Sequence, residues 1–197
     1  MKLGFRYVLA SSTLKTLGSC FVLAGLALGL IQPLAIFLVT ERLALPKEYL
    51  QWLMMASGIA MMIGGGATVA VSKKLPPPHL LSLGMAVSAV GIFLSGLSTQ
   101  LWLTLAANVI SGLAYPAIHI GISTLILTNA EEAFVGRVNG FLTPLFMGAM
   151  VLTMGLSGWV KASVPLVSMY AAAGVLFIVA VVIMIPLLKE AQPPQAA

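Results

Sequence analysis

Six apolar segments, each close to or above the roughly 20 residues a helix needs to cross a bilayer, take up most of this 197-residue chain. Their spans read as 16–40, 49–72, 79–98, 101–128, 139–160 and 164–188. Backbone polar groups in lipid must be satisfied internally, which leaves only helices and closed barrels. No segment alternates in the manner of a barrel strand, so the expected fold class is an all-α membrane protein with six transmembrane helices. Composition agrees: 60% of residues are hydrophobic and 8% charged, against about 25% charged in a soluble domain. The expected organisation is a cytoplasmic basic N-terminal segment at 1–15, a transmembrane domain at 16–188 and a cytoplasmic tail at 189–197, its last six residues, QPPQAA, disordered. The first apolar run, from about 17 to 39, is longer than the ~7–15 residues of a signal-peptide core and reads as an uncleaved helix.

The net charge of +5 would suggest anionic partners in a soluble protein, but here the basic residues sit in short loops, where they orient helices. With the amino terminus in the cytoplasm, Lys2, Arg6, Lys15, Lys73, Lys74, Arg137 and Lys189 lie inside and Arg42, Lys47 and Lys161 outside. Both termini of this multi-pass protein of the cell membrane are therefore expected to be cytoplasmic. The lipid bilayer is the first partner, and nucleic-acid binding is not indicated. The single cysteine, Cys20, can form no internal disulfide and reads as a small packing residue.

Within the fourth segment, NVISGLAYPAIHIGIS, the polar residues Asn108, Ser111, Tyr115, His119 and Ser123 recur at spacings of three, four, four and four. At about 100° per residue they fall within roughly 120° of arc, one face of one helix. Lipid cannot satisfy an amide, an imidazole and a phenol, so this face looks at another helix or into a water-filled cavity. Helix packing accounts for Ser111, Gly112 and Ser123 taken singly. A cavity accounts better for Asn108, Tyr115 and His119 together, because three large polar groups do not fit a tight helix contact.

Internal repetition adds a second line of argument. Gly25-Leu26-Ala27 followed by Gln32 recurs 87 positions later as Gly112-Leu113-Ala114 followed by His119. The run 60–66 aligns with 149–155 at an offset of 89, and Leu80-Leu81-Ser82-Leu83 aligns more weakly with 166–169 at 86. Helices one to three are thereby paired with four to six. Three helices is an odd number, so the second repeat enters from the opposite side, giving two inverted three-helix repeats. Gln32 and His119 become equivalent, and Pro33 beside Gln32 can bend the first helix.

The stretch GRVNG offers a tight turn at Gly136, a cation at Arg137 that can reach phosphates or a helix carbonyl end, and a plausible cap for the fifth helix in Asn139. Glu131 or Glu132 is in range to pair with Arg137. The chain has no Asp, and Glu41, Glu48, Glu131, Glu132 and Glu190 all fall in loops or the tail, so no carboxylate lies in the membrane. His119, with an unperturbed pKa of about 6.5, is the residue suited to proton coupling. His79 and His119, forty residues apart, do not form a metal pair, and no nucleophile motif is present; no enzyme activity, metal or cofactor is expected.

Six helices with nested inverted repeats resemble one half of a major facilitator superfamily transporter, specifically the carboxy-terminal half of a macrolide or multidrug exporter. The residues that carry this are IQPLAIFLVTERL at 31–43, GGG followed by SKKL within 64–75, SGLAYP at 111–116 and GRVNG at 136–140. The superfamily's Gly-x-x-x-Asp-Arg-x-Gly-Arg-Arg pattern, aligned from Gly65, keeps only the basic pair Lys73-Lys74; Val69, Ala70 and Ser72 stand for its Asp, Arg and second Gly. The resemblance implies secondary active export of small amphipathic compounds by alternating access, as an antiporter. Gln32, Asn108, Ser111, Tyr115 and His119 would line the substrate cavity, with Tyr115 and Phe37 supplying apolar or stacking contact. Lys73, Lys74, Gly136 and Arg137 would form cytoplasmic gate loops. The implied partners are a small-molecule substrate and a second six-helix half or a copy of this chain; the alternative is a non-transporting remnant or assembly subunit of a split transporter.

Overall fold

The computed structural model describes residues 11–190, the side chains of Glu132, Ala133 and Glu190 excepted. The expectations for the basic start and the tail fall largely on residues 1–10 and 191–197, outside the described residues. Six helices follow: α1 (Ser12–Ile31), α2 (Tyr49–Ser72), α3 (Pro77–Leu97), α4 (Leu101–Asn129), α5 (Glu132–Lys161) and α6 (Leu166–Glu190). Each forms part or all of a segment long and apolar enough to cross a membrane, and there is no strand among the described residues.

Local chemistry sets several boundaries. Ser11 caps α1, its hydroxyl accepting the Leu14 N–H at 3.4 Å. Pro76 and Pro77 open α3, where a missing N–H costs nothing because the first amides have no intrahelical acceptor. The first membrane span continues past α1 to Arg42, through a 3-10 turn at Gln32–Leu34, one α turn at Ala35–Phe37 and a π-helical stretch at Leu38–Arg42. Pro33 lies in the 3-10 turn and lacks the N–H that would continue the α-helical ladder.

The largest departure from the sequence reading is at α5, which begins at Glu132, seven residues before the expected start at 139. Gly136, Arg137 and Asn139 are therefore helical. Gly136 makes no turn, Asn139 caps nothing, and the loop motif built on Gly136 and Arg137 is replaced by helix. The physical reason is that Glu131 adopts an extended N-cap conformation (φ −59°, ψ 142°), and acidic residues at a helix start interact favourably with its dipole.

Principal packing runs in an open arc: α2 on α4, α4 on α3, α3 on α6, α6 on α1 and α1 on α5. Exchanging α1 with α4, α2 with α5 and α3 with α6 reverses this order and leaves every neighbour relation intact, as two equivalent three-helix units require. Small residues make the approaches possible. A Cβ on Gly64 would strike the Leu113 carbonyl, and one on Gly29 the Met150 carbonyl. The ends of the arc, α2 and α5, carry many exposed apolar side chains, including Met62 at 82% and Trp159 at 86%. At the membrane edge away from residues 11 and 190, Lys161 Nζ lies 2.6 Å from Glu41 Oε1, and an Arg42 guanidinium nitrogen donates to the Leu97 carbonyl at 3.1 Å. These contacts fasten the end of the first span to α5 and α3.

Candidate functional site

Inside the arc lies a cavity of about 430 Å³ bordered by α1, α2, α3, α4 and α6. Gln32, Asn108, Ser111 and Tyr115 all border it, so four of the five candidates proposed from sequence come together. His119 does not. It borders a second cavity of about 260 Å³, nearer the end of the bundle where residues 11 and 190 lie, together with Ser123, Asn139 and Thr143. Tyr115 borders both cavities, and its ring meets that of His119 at 4.8 Å between centroids and 60° between planes. Leu28 and Phe177 border both cavities as well, so these two side chains and the Tyr115 ring stand between the chambers.

The polar groups differ in how firmly they are held. Asn108 Nδ2 donates to the Thr104 carbonyl at 2.9 Å, one turn back on the same helix, and Ser57 Oγ lies 3.4 Å from Asn108 Oδ1. Asn108 therefore serves α2–α4 packing as well as facing the cavity. Several intramembrane hydroxyls turn back on their own helix in the same way, as Ser57 does to Leu53 and Thr153 to Ala149. Ser88 does not: its Oγ is buried without a partner among the described residues, on the α3 face that borders the larger cavity. Gln32 is exposed and makes no side-chain hydrogen bond among the described residues.

The remaining candidates lie apart from the cavities. Lys73 and Lys74 are exposed at the end of α2. Arg137 stands 5.0 Å from the centroid of the Phe134 ring, one turn of α5 away. Phe37 borders neither of these cavities; its ring lies under Lys161 Nζ at 4.1 Å. The sequence reading passed over Ser57, Ser88 and Ser95 in the larger cavity and Asn139 and Thr143 in the smaller. The available signal was spacing: Ser88 and Ser95 are seven apart, and Asn139 and Thr143 four, each pair on one helical face.

An arc of six membrane-spanning helices enclosing polar groups is consistent with half of a major facilitator fold, and residues 17–197 match the Major Facilitator Superfamily. The chain belongs to that family of membrane transporters and is a multi-pass membrane protein. It is 29% identical over 157 residues to an uncharacterized MFS-type transporter, YkuC, of Bacillus subtilis (strain 168), an alignment covering 78% of this chain. The same alignment takes in 36% of the length of that relative.

Proposed function

We propose that this chain acts in secondary active export of small amphipathic compounds by alternating access, its six helices working against a second six-helix unit. The observation that carries this reading is the placing of Gln32 and of Asn108, Ser111 and Tyr115 around one cavity, from two helices that exchange under the repeat symmetry. Uncharged donors and acceptors set in apolar walls suit an amphipathic molecule that must be held and then released. The exposed apolar faces of α2 and α5 at the two ends of the arc suit contact with lipid or a second unit. His119 is the candidate for proton coupling, since the carboxylate within the described spans, Glu41, stands at the far end of the first span in an ion pair with Lys161. The seven-to-three distribution of basic residues supports cytoplasmic termini.

The test is flux in proteoliposomes. An amphipathic fluorescent dye should move with an imposed pH gradient when the chain is co-reconstituted with a matching six-helix half, and should not move with the chain alone. Gradient-independent leak in both preparations would count against the reading.

A further inference from the structure

The smaller cavity has the features of a ligand site in its own right. His119 and Ser123 reach it from α4 and Asn139 and Thr143 from α5, and all four side chains are exposed to it or to the open side of the arc. None of the four makes a side-chain hydrogen bond among the described residues, in contrast to Asn108 on the same helix as His119. An amide and two hydroxyls left unpaired at membrane depth are costly unless water or a ligand satisfies them. The lining is also aromatic: Phe21 of α1 and Phe146 of α5, one turn beyond Thr143, meet edge to face, with centroids 6.0 Å apart and planes at 88°. No Asp, Glu, Lys or Arg borders the cavity among the described residues.

We infer that this chamber is a second binding subsite, separate from the larger cavity, that takes an uncharged aromatic compound bearing an amide or hydroxyl. Phe21 and Phe146 hold the ring, and Asn139 and Thr143 exchange hydrogen bonds with its polar group. The inference rests on the transport reading for its biological role, while the site itself is defined by these residues. Asn139 belongs to it only because α5 begins at Glu132. Had the helix begun at 139, the amide would have been spent on the helix end.

Photolabelling of the purified full chain in lipid nanodiscs with a neutral diazirine-bearing benzamide tests this. Saturable labelling is expected on α5 between Asn139 and Met147 and on α4 around Ser123, competed by excess benzamide. Losing two neutral hydrogen bonds in the double variant Asn139→Leu, Thr143→Val should weaken half-saturation on the order of tenfold, whereas Leu152→Ala, on the exposed apolar face of α5, should leave it unchanged. An unaltered thermal unfolding midpoint in the double variant keeps that loss from being read as misfolding. Labelling that survives the double variant but is lost in Gln32→Leu would place the compound in the larger cavity, overturning this inference and leaving the transport reading intact. Non-saturable labelling spread over lipid-facing positions would overturn the inference as well. Failure of the transport reading is scored separately, by absence of gradient-driven dye flux.

Discussion

Gly112 and Ala60 meet across α4 and α2 just as Gly25 and Ala149 meet across α1 and α5. A Cβ added at Gly112 would lie 2.8 Å from the Ser57 carbonyl oxygen and 2.9 Å from Ala60 Cβ; one at Gly25 would lie 2.5 Å from the Phe146 carbonyl oxygen and 3.2 Å from Ala149 Cβ. The glycines are separated by 87 positions and their partners by 89, the two offsets at which the sequence repeats. The repeat is thus a conserved contact geometry within one chain, with bare helix backbones pressed together at equivalent points.

Equivalent contacts should fail alike. Gly112→Ala and Gly25→Ala each force a methyl against a backbone carbonyl and should cost about 1–3 kcal/mol, read by unfolding in mixed detergent micelles. Gly58→Ala on α2, where an added Cβ meets nothing within 4 Å, should be neutral or slightly stabilising. A large loss at one glycine and none at the other would break the equivalence of the repeats.

Asn108 and Gln32 should separate stability from transport. Asn108→Leu removes a side chain tied to Thr104 and set beside Ser57, so it should lower stability by about 1 kcal/mol. Gln32→Leu removes an exposed amide and should leave the unfolding midpoint in place while dye flux falls. A stability loss at Gln32 with flux preserved would assign it to packing.

Lys161 joins Glu41 by an ion pair and Phe37 by a cation–π contact, yet the two charged side chains keep 21% and 51% of their surface exposed. A double-mutant cycle on Lys161→Met and Glu41→Gln should therefore give a coupling of about 0–1 kcal/mol that shrinks as salt rises. A larger, salt-insensitive coupling would show that this end of the bundle is more enclosed than its surface exposure indicates.

Topology is open to direct labelling. A cysteine at Glu48, in the exposed connection between the first span and α2, should react with an impermeant thiol reagent on intact cells, and one at Lys74 should not. Cys20 is buried and should stay silent. The reverse pattern would invert the orientation.

Hydropathy made the six spans legible because bilayer thickness fixes how long an apolar run must be, and span 49–72 coincides with α2. The repeat was legible because close helix contacts demand Gly and Ala at set positions. The start of α5 was not: Glu131, Glu132 and GRVNG resemble a polar loop, and the cue that acidic residues can open a helix was outweighed by Gly136 and Asn139. Which polar groups are spent within the protein was equally invisible. Asn108 and His119 share one helical face, yet only the amide finds a carbonyl one turn back, and His119 falls beyond Tyr115 in another chamber. The contact of Phe37 with Lys161 was invisible because the two lie 124 positions apart in sequence.

The central claim is that the face of α4 and the end of α1 are wetted by a cavity within the membrane. Cysteines placed singly at Gln32, Ser111 and His119, and at Ile110 on the exposed apolar side of α4, should be treated with a small water-soluble thiol reagent in native membranes. The account expects reaction at the first three and none at Ile110, with Gln32 and Ser111 protected by a transported dye. Equal inertness at all four positions would contradict it and leave helix packing as the reason for the polar face.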